Sequence, residues 1–186
     1  MKITPTAIAD VMIIAPTVSA DSRGFFYESF NQRAFYDATG LDLGFVQDSH
    51  SRSRQGVLRG MHFQSPQAQG KLVRVVQGVV QDVAVDLRPG SSTQGQYVST
   101  LLTQDEHVLA WIPAGFAHGF LVLSESADVA YKTTGYYAPQ HEHCLAWDDR
   151  SVAIAWQLAA PPVLSVKDQA GLSLASALAA VKQACP

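Results

Sequence analysis

Polar and apolar residues alternate along the middle of this chain with the two-residue period of a half-buried β-strand. The pattern is clearest in "QDVAVDLR", where Val83, Val85 and Leu87 share one face and Asp82, Ala84 and Asp86 the other. From Phe45 to Tyr137 short runs of this kind follow one another: "KLVRVVQG", "VVQDVAVDLRPG", "GQYVSTLLT", "HVLAWIPAG", "HGFLVLS" and "DVAYKTTGYY". Their length and the turn residues between them predict an antiparallel β-barrel or jelly roll. Two segments depart from the period. "FNQRAFYDATG" predicts a short helix, capped by Asn31, turning Phe35 inward and stopped by Gly40. "LSLASALAAVKQA" has helical spacing and predicts a C-terminal helix packed on the outside of the barrel. No repeat, low-complexity tract or linker divides the chain, so residues 1–186 read as one domain.

Composition narrows the function without naming it. With 47% hydrophobic and 16% charged residues the chain is globular, and a net charge of -3 gives no footprint for nucleic acid. An anionic ligand would have to be held by a few placed cations. The two cysteines, Cys144 and Cys185, match no metal spacing and are too few for a disulfide framework. Asp10 interrupts the apolar start "MKITPTAIADVMIIAP", no signal-like cleavage pattern follows, and no run approaches a membrane span. The expectation is a soluble, cytoplasmic protein with no membrane partner.

Several strands carry residues that a plain core would not. Arg59, His62, Lys71, Arg74, His118, Tyr131 and Lys132 all fall at strand positions. Parity puts Lys71 on the face of Val73 and Val75, and Tyr131 on that of Val129, so both should point inward while Arg74 and Lys132 point out. In "GVLRGMHFQ", Arg59 and His62 should face opposite ways, unless Gly60 marks a bulge that shifts the parity. Spacing alone favours the plainer reading, an outward Arg59 and a hydrogen-bonded core histidine. His118, after the Pro/Gly turn of "PAGFAHGF", reads alone as a structural hydrogen-bonder. "HEH" at His141–His143 follows a turn with no further ligand near it, and the strand of His62 lacks the second imidazole of metal-binding cupins, so no metal is expected. Arg23, Phe26 and Glu28 in "DSRGFFYESF" read as an edge strand with solvated charges, and Asp168 in "LSVKDQAG" as a loop residue placed to cap a helix.

Taken together and in order, "DSRGFFYESF", "FVQDSHSRSRQGVLRGMHFQ", "KLVRVVQGVVQDVAVDLRPGSSTQGQY", "IPAGFAHGFLVLSE", "YKTTGYY" and "LSVKD" resemble the dTDP-4-dehydrorhamnose 3,5-epimerase family. The resemblance runs from about Phe25 to Asp168 and replaces the plainer readings. It implies a cupin-type jelly roll, mainly β with short N- and C-terminal helical segments, acting as a homodimer with neither metal nor cofactor. The implied substrate is a nucleotide diphosphate sugar with a keto group at the fourth sugar carbon. By resemblance His62 is the base, Asp168 its dyad partner favouring the protonated imidazole, Tyr131 the opposite-face acid, and Lys71 the cation beside the keto oxygen. Arg59 and His118 match other pocket positions, Arg59 being suited to phosphate oxygens. Gln47, Arg23 and Glu28 match nucleotide contacts, Arg23 and Glu28 reaching across from the partner subunit, and Phe26 lies in the same segment. Ser49 stands where many members have Asn, and Ser19 where many have an aromatic; both bear on nucleotide preference more than on the reaction. Three other functions compete: a single-carbon epimerase or ketoisomerase, a non-catalytic sugar-binding cupin, and a metal-dependent cupin dioxygenase.

Overall fold

The computed structural model describes residues 1–184, and Cys185 lies outside them. Its strands are β1 (Lys2–Pro5), β2 (Met12–Ala15), β3 (Ser19–Asp21), β4 (Gly24–Phe26), β5 (Gln47–Arg54), β6 (Leu58–Gln64), β7 (Lys71–Gln77), β8 (Val79–Asp86), β9 (Tyr97–Thr103), β10 (Leu109–Ile112), β11 (Phe116–Val122), β12 (Ser126–Thr133) and β13 (Glu142–Cys144). Three α-helices accompany them: α1 (Gln32–Thr39), α2 (Val166–Gln169) and α3 (Leu174–Ala184). A six-stranded sheet runs β1-β2-β10-β7-β12-β5, and a five-stranded sheet runs β13-β6-β11-β8-β9. The two pack face to face as an antiparallel jelly roll whose sheets do not close. A separate hairpin pairs β3 with β4.

Three apolar clusters hold this together. Between the sheets lie Val73, Val75 and Val129 from one side and Val80, Ala84 and Phe120 from the other. On the outer face of the five-stranded sheet, Val83, Val85 and Leu87 pack with Ala177 and Val181 of α3. β8 is therefore apolar on both faces, and Asp82 is buried on its inner one. Outside the six-stranded sheet, Phe35 of α1 meets Trp111 and Phe45 edge-on, with ring centroids 5.7 and 5.4 Å apart. Full burial of such a ring stabilises by roughly 1.5–3 kcal/mol.

The expected helix is present as read. Asn31 accepts from the Ala34 amide at 3.0 Å, and Gly40, at φ 72°, ends the helix in the left-handed conformation. Other details differ from expectation. The apolar start forms β1 and β2 on the edge of the six-stranded sheet, because Ile14 has a buried site beside Leu72 and Trp111. "HEH" is not a free turn: Glu142 and His143 belong to β13, which pairs with β6. Asp168 does not cap a helix but lies within α2, where Ser165 is the cap.

Candidate active site

The strand carrying Arg59 and His62 is irregular where the parity conflict demanded it. His62 pairs with His118 and Arg59 with Phe120, so Gly60 and Met61 together oppose Gly119 alone. Gly60 has φ 118°, and a Cβ there would lie 2.7 Å from the Gly119 Cα. A Cβ on Gly119 would lie 2.6 Å from the Arg59 carbonyl oxygen. Glycine at both positions lets the two backbones approach, and the extra residue turns Arg59 and His62 toward the same side. Met61, the residue between, goes to the outer apolar cluster.

That side is a cavity of about 330 Å³ between the sheets. The five-stranded sheet contributes Arg59, His62 and His118, and the six-stranded sheet contributes Gln47, Ser49, Lys71 and Tyr131. His62 and Tyr131 thus stand on facing sheets. Arg59 is exposed at the mouth, where its Nε donates to Ser53 Oγ at 2.8 Å. Gln47 donates to Ser49 Oγ at 3.2 Å and accepts from the Tyr137 amide at 3.0 Å.

Two histidine–carboxylate pairs organise the floor. His62 Nε2 lies 2.6 Å from Asp168 Oδ1, which leaves Nδ1 as the ring's other proton-transfer atom. Asp168 is 4% exposed, and its second oxygen accepts from Ser165 Oγ at 2.7 Å. Burial alone would raise this carboxyl, but the hydrogen bonds from His62, Ser165 and the Gly60 amide outweigh it and hold it below the usual carboxylate range. His118 Nε2 lies 2.7 Å from Asp82 Oδ2, both groups being buried. Burial pushes His118 down despite the carboxylate beside it, favouring a neutral ring. Burial also pushes the Lys71 ammonium down to about 8, against the opposing pull of Asp82 and Glu142. Its Nζ donates to the His62 carbonyl at 3.3 Å.

Sequence reasoning passed over several of these partners. Parity set Asp82 only on the face of β8 opposite Val83 and Val85; that this face is the inner one, and that its partner lies 36 residues away, the fold decides. Glu142 lines the cavity and accepts from Tyr137 Oη at 2.5 Å and from Lys167 Nζ at 2.6 Å, a set no local motif announces. Cys144 matches no metal spacing, yet the fold brings its Sγ within 3.8 Å of Asp168 Oδ1. Burial, with the Asp168 charge second, pushes that thiol up to about 12.

Three predicted residues are not brought to this cavity within one chain. Arg23 sits at the tip of the β3–β4 hairpin, exposed and paired with Asp21 at 2.6 Å. Phe26 is 72% exposed, and Glu28 accepts from Asn31 Nδ2 at 3.2 Å. Ser19 is exposed on the same hairpin. Among the described residues no helix is long and apolar enough to cross a membrane.

Comparison with known proteins bears on family and fold. Residues 5–176 match the family model described as dTDP-4-dehydrorhamnose 3,5-epimerase. The chain is 56% identical over 177 residues to the dTDP-4-dehydrorhamnose 3,5-epimerase of Pseudomonas aeruginosa, covering 95% of this chain and 98% of that one. An epimerase from Legionella pneumophila, solved in complex with dTDP-4-keto-L-rhamnose, superposes with a TM-score of 0.92 at 49% identity, covering 94% and 93% of the two chains. A 3'-monoepimerase from Streptomyces bikiniensis, bound to dTDP-quinovose, is more distant at 32% identity and a TM-score of 0.87, covering 93% and 88%.

Proposed function

Because this chain belongs to the dTDP-4-dehydrorhamnose 3,5-epimerase family, we propose that it performs the family's inversion with His62 and Tyr131 as opposed proton-transfer groups. It is an epimerase of a dTDP-4-keto-6-deoxyhexose, the isomerase that forms dTDP-4-dehydrorhamnose. Identity of 56% to a double epimerase, against 32% to a monoepimerase, favours inversion of both carbons flanking the ketone.

The physical problem is a C–H bond beside a carbonyl. Its proton is removable only because the electron pair left behind delocalises onto the carbonyl oxygen as an enolate. Inversion then requires that the proton leave from one face and another arrive on the opposite face. The observation that carries the reading is the His62–Asp168 pair, 2.6 Å long, on one sheet of a cavity whose other sheet presents Tyr131. With Nε2 engaged by Asp168, Nδ1 takes the substrate proton, and the carboxylate stabilises the imidazolium that forms. The Lys71 ammonium offsets the charge that develops on the keto oxygen. The Tyr131 phenol then delivers its proton to the carbon from the other face, and exchange with solvent restores both groups. His118, donating from Nε2 to Asp82, leaves Nδ1 of its neutral ring to accept a hydrogen bond from a sugar hydroxyl.

Arg59 at the mouth suits the diphosphate, where its planar fork can engage two oxygens. Gln47 and Ser49 lie on the way out toward the nucleotide. Arg23, Phe26 and Glu28 are assigned to the site of a partner subunit in a homodimer, which accounts for an exposed aromatic hairpin lying apart from its own cavity. No cofactor enters this scheme, and a nucleotide sugar substrate suits a cytoplasmic enzyme.

The test is turnover in deuterated water followed by NMR of the product. Deuterium at both carbons flanking the ketone is expected. Label at one carbon alone would establish a monoepimerase, and binding without label a sugar-binding cupin.

A further inference from the structure

His62, Asp168 and Cys144 come from β6, α2 and β13, yet their Nε2, carboxylate oxygen and Sγ atoms all lie within 4.8 Å of one another. Proton transfer has a use for the first two and none for the thiol. The separations are 2.6 Å between imidazole and carboxylate and 3.8 Å between carboxylate and sulfur. Tetrahedral zinc, with bonds of about 2.0–2.3 Å to N, O and S, holds such pairs roughly 3.4–3.6 Å apart. With the imidazole nitrogen and the sulfur no more than 4.8 Å apart, shifts of up to about 1.3 Å would admit the ion. Imidazole, thiolate and carboxylate together are a donor set that zinc favours over magnesium or calcium. Asp168 and Cys144 are buried, at 4% and 6% exposure, and do not line the cavity, whereas His62 does; an ion would enter past the His62 ring and take water as its fourth ligand.

We propose that His62, Cys144 and Asp168 form an inhibitory zinc site built in behind the His62 side of the catalytic cavity. On binding, Cys144 releases its thiol proton to solvent and bonds as thiolate. Asp168 exchanges its bond to His62 for one to the metal. His62 gives its Nε2 lone pair, its ring proton moving to Nδ1. A ring metallated on Nε2 and protonated on Nδ1 has no lone pair left to accept a proton from the sugar. Inhibition thus rests on His62 being the base, whereas the binding of the metal does not.

Two measurements on the purified enzyme separate these statements. In a buffered zinc titration the parent enzyme is expected to lose activity and regain it on chelation. Cys144→Ser should be active without zinc and need at least about tenfold more zinc for the same loss. In parallel, cobalt(II) added to the parent should give a thiolate-to-cobalt charge-transfer band in the near ultraviolet. Cys185→Ser should keep that band, and Cys144→Ser and Cys144→Ala should lack it. Equal zinc sensitivity in parent and Cys144→Ser, or a cobalt spectrum indifferent to Cys144, would overturn the proposal. A Cys144-dependent band without inhibition would leave the metal site standing and overturn its inhibitory role, while deuterium exchange in His62→Ala decides separately whether His62 is the base.

Discussion

At the scale of single residues, the proposed mechanism divides the work between His62 and Tyr131, and their variants should fail differently. Tyr131→Phe keeps the ring's volume and removes the donor. It is expected to block inversion, with kcat down by ~10²–10⁴-fold, yet still wash deuterium into the abstracted carbon. NMR of recovered substrate reads both effects in one experiment. Lys71 is expected to set the alkaline side of the pH profile. Burial depresses its ammonium to about 8, so the charge beside the keto oxygen is present below that pH and lost as pH rises through it. The kcat/KM profile, which reads the free enzyme, should therefore fall above about pH 8. Asp82 is one of the charges holding Lys71 up, so Asp82→Asn should move that fall to lower pH. A profile that does not move would show that Lys71 does not carry the limb.

At the scale of elements, the site depends on one irregular strand pair. Gly60 and Gly119 let β6 and β11 approach, and the bulge between them turns Arg59 and His62 to one cavity. Gly60→Ala puts a Cβ at φ 118° and 2.7 Å from backbone, and is expected to cost about 1–3 kcal/mol in stability, measurable by urea denaturation. An alanine variant as stable as the parent would show that the bulge tolerates a side chain. Much of this level was legible in sequence, because period-two runs, Asn31 and Gly40 are local signals. The inward placement of Lys71 and Tyr131 followed from parity alone. The bulge was readable only as an alternative, since nothing in "LRGMH" fixes the pairing partner. Asp82, Glu142 and Cys144 escaped because the groups they touch come from elsewhere in the chain, and only the fold decides that they meet. The catalytic reading of Asp168 came from family resemblance; its own sequence surroundings suggested a helix cap.

For the whole molecule, the β3–β4 hairpin rests on the barrel through Phe25, whose ring lies 4.3 Å from that of His107, yet Phe25 and Phe26 stay exposed and Arg23 lies away from the cavity. Exposed aromatics beside charged residues suit an interface. Light scattering is expected to give twice the chain mass at micromolar concentration, and Arg23→Ala should raise KM for the nucleotide sugar more than it lowers kcat. A monomer with full activity would remove the partner from the site. The central claim concerns the group that takes the proton, and one measurement addresses it directly: the rate at which solvent deuterium enters the carbons beside the keto group in His62→Ala, compared with the parent under identical conditions. Loss of exchange and inversion together, with the nucleotide sugar still bound, is the predicted result; exchange at the parent rate would contradict it.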